Sequence, residues 1–224
     1  VGQWSDSFKA DQDTLSLLSN EPYESYIRKL QRWVNSSDSP IINIDGNWRI
    51  ISPYESFSFA LKHLTRTDFS LYKEAIIRAL DDIDPDAIAK SQSFTLELWE
   101  NKQKYSNCIK EGLAQSAILI SILGESHNID STNTGNIDNM ISDILHKSKY
   151  EWWLSFKVII PNIAEASPKS FISFIQDDLL KDKSIIKSIF MEKKNKDRLF
   201  GSNADYIEIL LALESLAWQK KYLY

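Results

Sequence analysis

One stretch of this sequence can turn a β-hairpin, and the rest is spaced for helix. Ile41-Ile42-Asn43-Ile44 and Trp48-Arg49-Ile50-Ile51 are β-branched runs on either side of Asp45-Gly46-Asn47, a tight turn with a glycine. Sandwiches and barrels need many such turns, and six Gly and six Pro in 224 residues are too few to supply them. The chain is therefore expected to be mainly α.

The hairpin has helices on both sides. Residues 11–18 read as a short helix with acids in its first turn, and Asn20-Glu21-Pro22 breaks it and starts another. Tyr26, Ile27, Leu30 and Val34 then recur at helical spacing, predicting a helix over Tyr23 to Val34. After the hairpin, Ser52-Pro53-Tyr54-Glu55 spells a capping box with Pro at the first helical position. Helix, turn, helix, hairpin, helix is the back half of a winged helix, with the hairpin as the wing.

Beyond residue 66 the pattern is helical throughout. Helices are expected over Thr67 to Leu80, Ser93 to Leu123, Ile137 to His146, Tyr150 to Ala166 (bent or broken at Pro161), Lys169 to Leu180, Ser184 to Met191 and Ala204 to Tyr222. Pro85 to Ala89 reads as one short turn, and Glu192 to Asn203 as a charged loop. On the last helix Tyr206, Ile209, Leu210, Leu213 and Ala217 form the expected apolar stripe. His127 to Asn136 reads as a polar linker. The expected organisation is a winged-helix-like module over 1–66, then a HEAT/TPR-like helical repeat array in two parts, 67–126 and 137–224.

Charge and cysteine narrow the setting. The net charge of −5 disfavours a phosphate backbone as partner. A single cysteine, Cys108, allows no internal disulfide and fits a reducing compartment. No apolar run approaches the roughly 18 residues of a membrane helix, and the first residues carry no secretory pattern. The expected location is the cytoplasm. With no starting Met and an aromatic last residue, the sequence reads as a region of something longer.

No glycine precedes a lysine and no pair of glycines fits a dinucleotide fingerprint, so no nucleotide or other cofactor is expected. His63, His127 and His146 have no second ligand at metal spacing, and no metal is expected. His63 reads as partly buried, His127 as solvated and His146 as a helix-end cation. Cys108 reads as a mid-helix packing residue. Asp81, Asp82, Asp84 and Asp86 faintly suggest a calcium loop, but the turn glycine and the closing glutamate are missing, so they read as helix-end acids. Asp177-Asp178 reads as a solvated face. No catalytic residue emerges. An enzyme of an unfamiliar helical class, built on the Asp81–Asp86 acids, is the weakest reading.

Aromatic side chains remain as interaction anchors. The seven tryptophans are many for this length, and each ring can bury roughly 150–250 Å². Trp99, Tyr105, Trp152, Trp153 and Trp218 are the candidate protein-contacting anchors. The rival surface is basic: Arg28, Lys29 and Arg32 on the second helix and Arg49 on the wing could meet DNA. Glu21 and Glu24 sit where base contacts would be made, and residues 1–66 hold seven basic against eight acidic residues, so binding to phosphate would be weak.

Leu15 to Leu64, ending in Trp48-Arg49-Ile50-Ile51-Ser52-Pro53-Tyr54, resembles the winged helix that follows the nucleotide-binding domain of STAND-type P-loop ATPases. Lys110-Glu111-Gly112-Leu113-Ala114-Gln115-Ser116, Pro161-Asn162-Ile163-Ala164-Glu165-Ala166-Ser167-Pro168 and Ala212-Leu213-Glu214-Ser215-Leu216-Ala217-Trp218 are similar to helical-repeat elements of large bacterial proteins of that architecture. The resemblance implies a parent in signalling or antiphage defence, whose array senses a trigger and whose winged helix packs on the ATPase core. The ATPase motifs themselves are absent from this stretch. The expected function is regulatory and protein-binding, without catalysis, the partner being either the parent's ATPase core or a trigger protein. The alternative is a transcription regulator with a DNA-reading winged helix.

Overall fold

A computed structural model gives the fold and describes residues 1–34, 36–92, 103–126, 131–191 and 205–218. Among them the chain is mainly helical, with one small antiparallel sheet. It divides into two compact units, one of residues 1–82 and 102–137, the other of residues 83–101 and 138–224.

The first unit opens on a strand that the sequence reading did not anticipate. β1 (Gln3–Ser5) pairs antiparallel with β3 (Asn47–Ile50), which pairs in turn with β2 (Ile41–Ile44), giving the order β1-β3-β2. Asp45 and Gly46 both have positive φ, 51° and 78°, as the two-residue hairpin turn of primed type requires. Between β1 and β2 lie α1 (Lys9–Ser19) and α2 (Tyr23–Val34). α1 ends at Asn20, whose left-handed backbone turns the chain into α2. Trp4 of β1 and Trp48 of β3 stack 5.7 Å apart with nearly parallel rings, both buried. Their indole N–H groups are satisfied locally: Trp4 donates to the Tyr23 hydroxyl at 3.0 Å and Trp48 to the Asp6 carboxylate at 2.9 Å. Tyr23 also donates to Asp6, which closes the network.

α3 (Pro53–Leu61), α4 (Arg66–Leu80) and α6 (Asn107–Ser126) complete this unit. Pro53 starts α3 as expected, but Ser52 makes no side-chain cap. The capping box lies instead at Thr65 and Asp68, where each side chain bonds the other's backbone N–H. The long helix expected over Ser93 to Leu123 is not continuous. Residues 93–102 lie outside the described residues, 103–106 are irregular, and α6 begins at Asn107.

α6 packs along β1, and Gly112 sets the distance. A Cβ placed there would lie 2.7 Å from the Gln3 carbonyl oxygen and 2.9 Å from its nitrogen. The helix thereby covers an edge strand that would otherwise be open to pairing. Gly112→Ala is expected to destabilise this unit by about 1–3 kcal/mol, because backbone and not a flexible side chain must yield. A urea titration read by tryptophan fluorescence checks it, and an unchanged midpoint would show that α6 can back away from the strand.

The second unit is helical throughout its described residues. It contains α5 (Pro85–Gln92), α8 (Tyr150–Ser155), a 3-10 turn (Lys157–Ile159), α9 (Ile160–Ala166), α10 (Pro168–Leu179), α11 (Ile185–Met191) and α12 (Ile207–Ala217). α7 (Ser131–Lys147) runs across the division between the units. Residues 131–136, expected as linker, are thus helical; 127–130 lie outside the described residues. Pro85 opens a helix of eight residues rather than a single turn. The break expected near Pro161 takes the form of the 3-10 turn before α9. On α12 the buried stripe is Ile209, Ala212 and Leu216, while Leu210 is exposed, so the face is rotated from the expected one. The loop expected over Glu192 to Asn203 lies outside the described residues.

Asp178 shows how this unit is tied together. Expected on a solvated face, it is fully buried at the end of α10 and accepts from the Ser184 hydroxyl at 2.7 Å, the Ile186 N–H at 2.9 Å and Lys181 at 3.4 Å. Burial pushes its pKa up, but the bonds from Ile186, Ser184 and Lys181 outweigh it and hold the carboxyl below its ordinary range. A lowered folded-state pKa means that the stabilisation is full above the unfolded carboxylate value, near pH 4, and is lost as pH falls through the folded value. Asp178→Asn is expected to cost about 2 kcal/mol at neutral pH. The gap from the wild type should narrow below about pH 4; a gap independent of pH would show that the charge contributes nothing.

Candidate interaction surfaces

The five aromatic candidates separate by burial. Trp152 and Trp153 are core residues, which corrects their assignment as surface anchors: Trp153 is 1% exposed, stacks on Phe174 at 5.5 Å and donates its indole N–H to the Ser148 hydroxyl at 2.9 Å. Trp152 meets Trp153 edge-on and lies 5.1 Å from Phe156. Both are buried because α8 is a short helix walled in by α5 and α11. Tyr105 is half-buried, and burial raises its phenol pKa. Trp218, at the end of α12, is 83% exposed. Trp99 lies outside the described residues.

The basic candidates are all on the surface. Arg28, Lys29 and Arg32 lie on the outer side of α2, opposite Tyr23, Ile27 and Leu30. Arg49 points out of the sheet beside Ile42, its register partner. Lys29 is drawn onto Glu21 at 2.6 Å, and that bond lowers the Glu21 pKa. Among the described residues the guanidinium groups of Arg28, Arg32 and Arg49 pair with no carboxylate.

Apolar side chains share this part of the first unit, a feature the sequence reading did not single out. Trp33, near the end of α2, is 56% exposed; Ile44, beside the hairpin turn, is 63% exposed; Ile42 and Ile51 are exposed as well. The outward turn of Ile42 and Ile44 follows from strand alternation, since Ile41 takes the buried position. That signal was available in the sequence, but three isoleucines in four residues conceal which ones face inward.

Cys108 is the second residue of α6 and not mid-helix. Burial, Glu111 and Asp11 nonetheless raise its thiol pKa, the opposite of activation. His63 is exposed just beyond α3, not partly buried. His146 is exposed near the end of α7, with its Nδ1 2.8 Å from the Ser142 carbonyl oxygen and its ring edge-on to Phe174. His127 lies outside the described residues. Asp84 accepts the Asp86 N–H at the start of α5. Asp82 bonds to the N–H groups of Lys104 and Tyr105, both at 3.0 Å, and pairs with the buried Lys110 at 3.3 Å. Among the described residues no group of three or more His, Cys, Asp or Glu could hold a metal ion, and no helix is long and apolar enough to cross a membrane.

The first unit also contains a pocket of about 320 Å³ between α1, α3, α4 and α6. Its walls are mainly apolar, with Leu15, Leu18, Phe57, Phe69 and Ile120 among them. Three polar groups in its wall are engaged within the fold: the Tyr72 hydroxyl donates to the Leu113 carbonyl, Ser116 to the Gly112 carbonyl, and Asp68 caps α4. The apolar share of the lining suits an apolar group. No family model, curated protein or solved structure matches this chain.

Proposed function

We propose that this chain is a non-catalytic, regulatory region of a larger bacterial signalling or defence protein linked to an ATPase, and that it works in the cytoplasm by binding protein. In this reading the first unit contains a winged helix with the β2–β3 hairpin as its wing, supported by the succession β1, α1, α2, hairpin and by the sheet order β1-β3-β2. The later helices stack as a repeat array. The observation that carries the reading is the exposed Ile44 and Trp33, beside the hairpin turn and at the end of α2. A DNA-binding wing presents cations to phosphate there; exposed apolar side chains suit a protein surface.

The test is to find whether a P-loop domain is encoded in the same reading frame, and to titrate that domain, made separately, with this chain by calorimetry. Binding that weakens about tenfold or more in Ile44→Glu or Trp33→Glu is expected, as for loss of a contact worth over 1 kcal/mol. A frame without such a domain, or affinity untouched by both changes, ends the reading.

A second reading, a DNA-reading winged helix, is favoured by the three guanidinium groups without a carboxylate partner. A gel shift with mixed duplex DNA at low salt decides it. A shift that Arg28→Ala, Arg32→Ala and Arg49→Ala each weaken supports it, and no shift at micromolar protein removes it.

A further inference from the structure

The chain passes from α4 through Asp82 and returns to the first unit just before α6. The returning segment, 103–106, is held in an unusual way. Its three successive amides, of Lys104, Tyr105 and Ser106, donate to side-chain carboxylates and, among the described residues, to no backbone carbonyl. Lys104 and Tyr105 bond to Asp82; Ser106 bonds to Asp11 at 3.0 Å. The Ser106 hydroxyl makes a further bond of 2.5 Å to Asp11. Lys110, itself 2% exposed, pairs with Asp82 at 3.3 Å and contributes to the electrostatic environment of Asp11. Ser106 also caps α6 by accepting the Ile109 N–H at 3.1 Å.

We infer that residues 103–106 are a strap that opens as a local unit, releasing its amides from Asp82 and Asp11 while the surrounding helices stay folded. The helices keep most of their support without the strap. α1, α4 and α6 are held by their own backbone ladders and by buried Leu15, Ile76, Leu80 and Leu113. The strap has little apolar surface to lose: Lys104 is exposed, Gln103 and Tyr105 are half-buried, and the buried Ser106 is small and polar. Segments with few apolar contacts open before the core does. What keeps this one closed is a set of charge-assisted bonds, strong but few. Opening removes the cap from α6 and frees the returning end of the stretch that leaves at Asp82. A partner that binds the opened form more tightly would shift the population toward it.

Hydrogen exchange on the whole chain, with denaturant raised below the unfolding midpoint, tests the inference. In the wild type the amides of Tyr105 and Ser106 should exchange by a route insensitive to denaturant, and faster than those of Leu113 and Ala117 in α6. Strap amides that share the protection and denaturant slope of Leu113 and Ala117 would overturn the inference.

Discussion

Trp153→Ala is expected to destabilise the second unit by about 3–5 kcal/mol, the range for emptying a fully buried large aromatic site. The ring contacts Trp152, Phe171 and Phe174, and its N–H is taken by Ser148. Removing it leaves a void that three rigid rings cannot fill, and it deprives the Ser148 oxygen of the N–H it accepts. Trp218→Ala, at a site 83% exposed, should change stability by no more than about 0.5 kcal/mol. The pair separates core from surface. Chemical denaturation should be followed by a probe local to the second unit, because a chain of two units need not unfold in one step. Equal effects at the two positions would contradict the burial seen here.

The contrast between these tryptophans shows what the sequence could convey. Trp152 and Trp153 are adjacent, about 100° apart on a helix, and one of two such neighbours ordinarily faces out. α8 is enclosed on both sides, so both face in, and only tertiary packing decides that. The hairpin, in contrast, was legible because its turn is local: Asp45-Gly46 supplies the two positive φ values within two residues. α2 was equally plain, its bounds matching the apolar spacing of Tyr23 to Val34. β1 was not, being three residues with a single apolar one, and paired to a strand more than forty positions away. Cys108 was misplaced along its helix because the irregular 103–106 segment has no Pro or Gly to announce it. Its amides are satisfied by Asp82 and Asp11, from elements distant in sequence, and no local pattern encodes that.

Lys110→Met is the other change expected to be severe, with a loss of about 3–5 kcal/mol, the cost of breaking a buried ion pair by removing one partner. The methionine would fill much of the space, so the loss would come from charge. Asp82 would keep its two amide bonds from the strap but lose the cation that offsets its burial, and Asp11, whose pKa burial already raises, would lose a stabilising cation as well. The sign of that second effect can be checked. A carboxyl with a raised folded-state pKa lowers stability once pH passes above the unfolded value. Taking away Lys110 raises it further, so the Lys110→Met penalty should shrink as pH is lowered and Asp11 protonates. The double variant Lys110→Met with Asp82→Asn removes charge from both partners and should recover part of the loss, giving a coupling energy of about 1–3 kcal/mol in a double-mutant cycle. Additive losses would mean that the lysine stem, and not the ion pair, holds α6 against the end of α4, and the strap would then rest on Asp82 through its amide bonds alone.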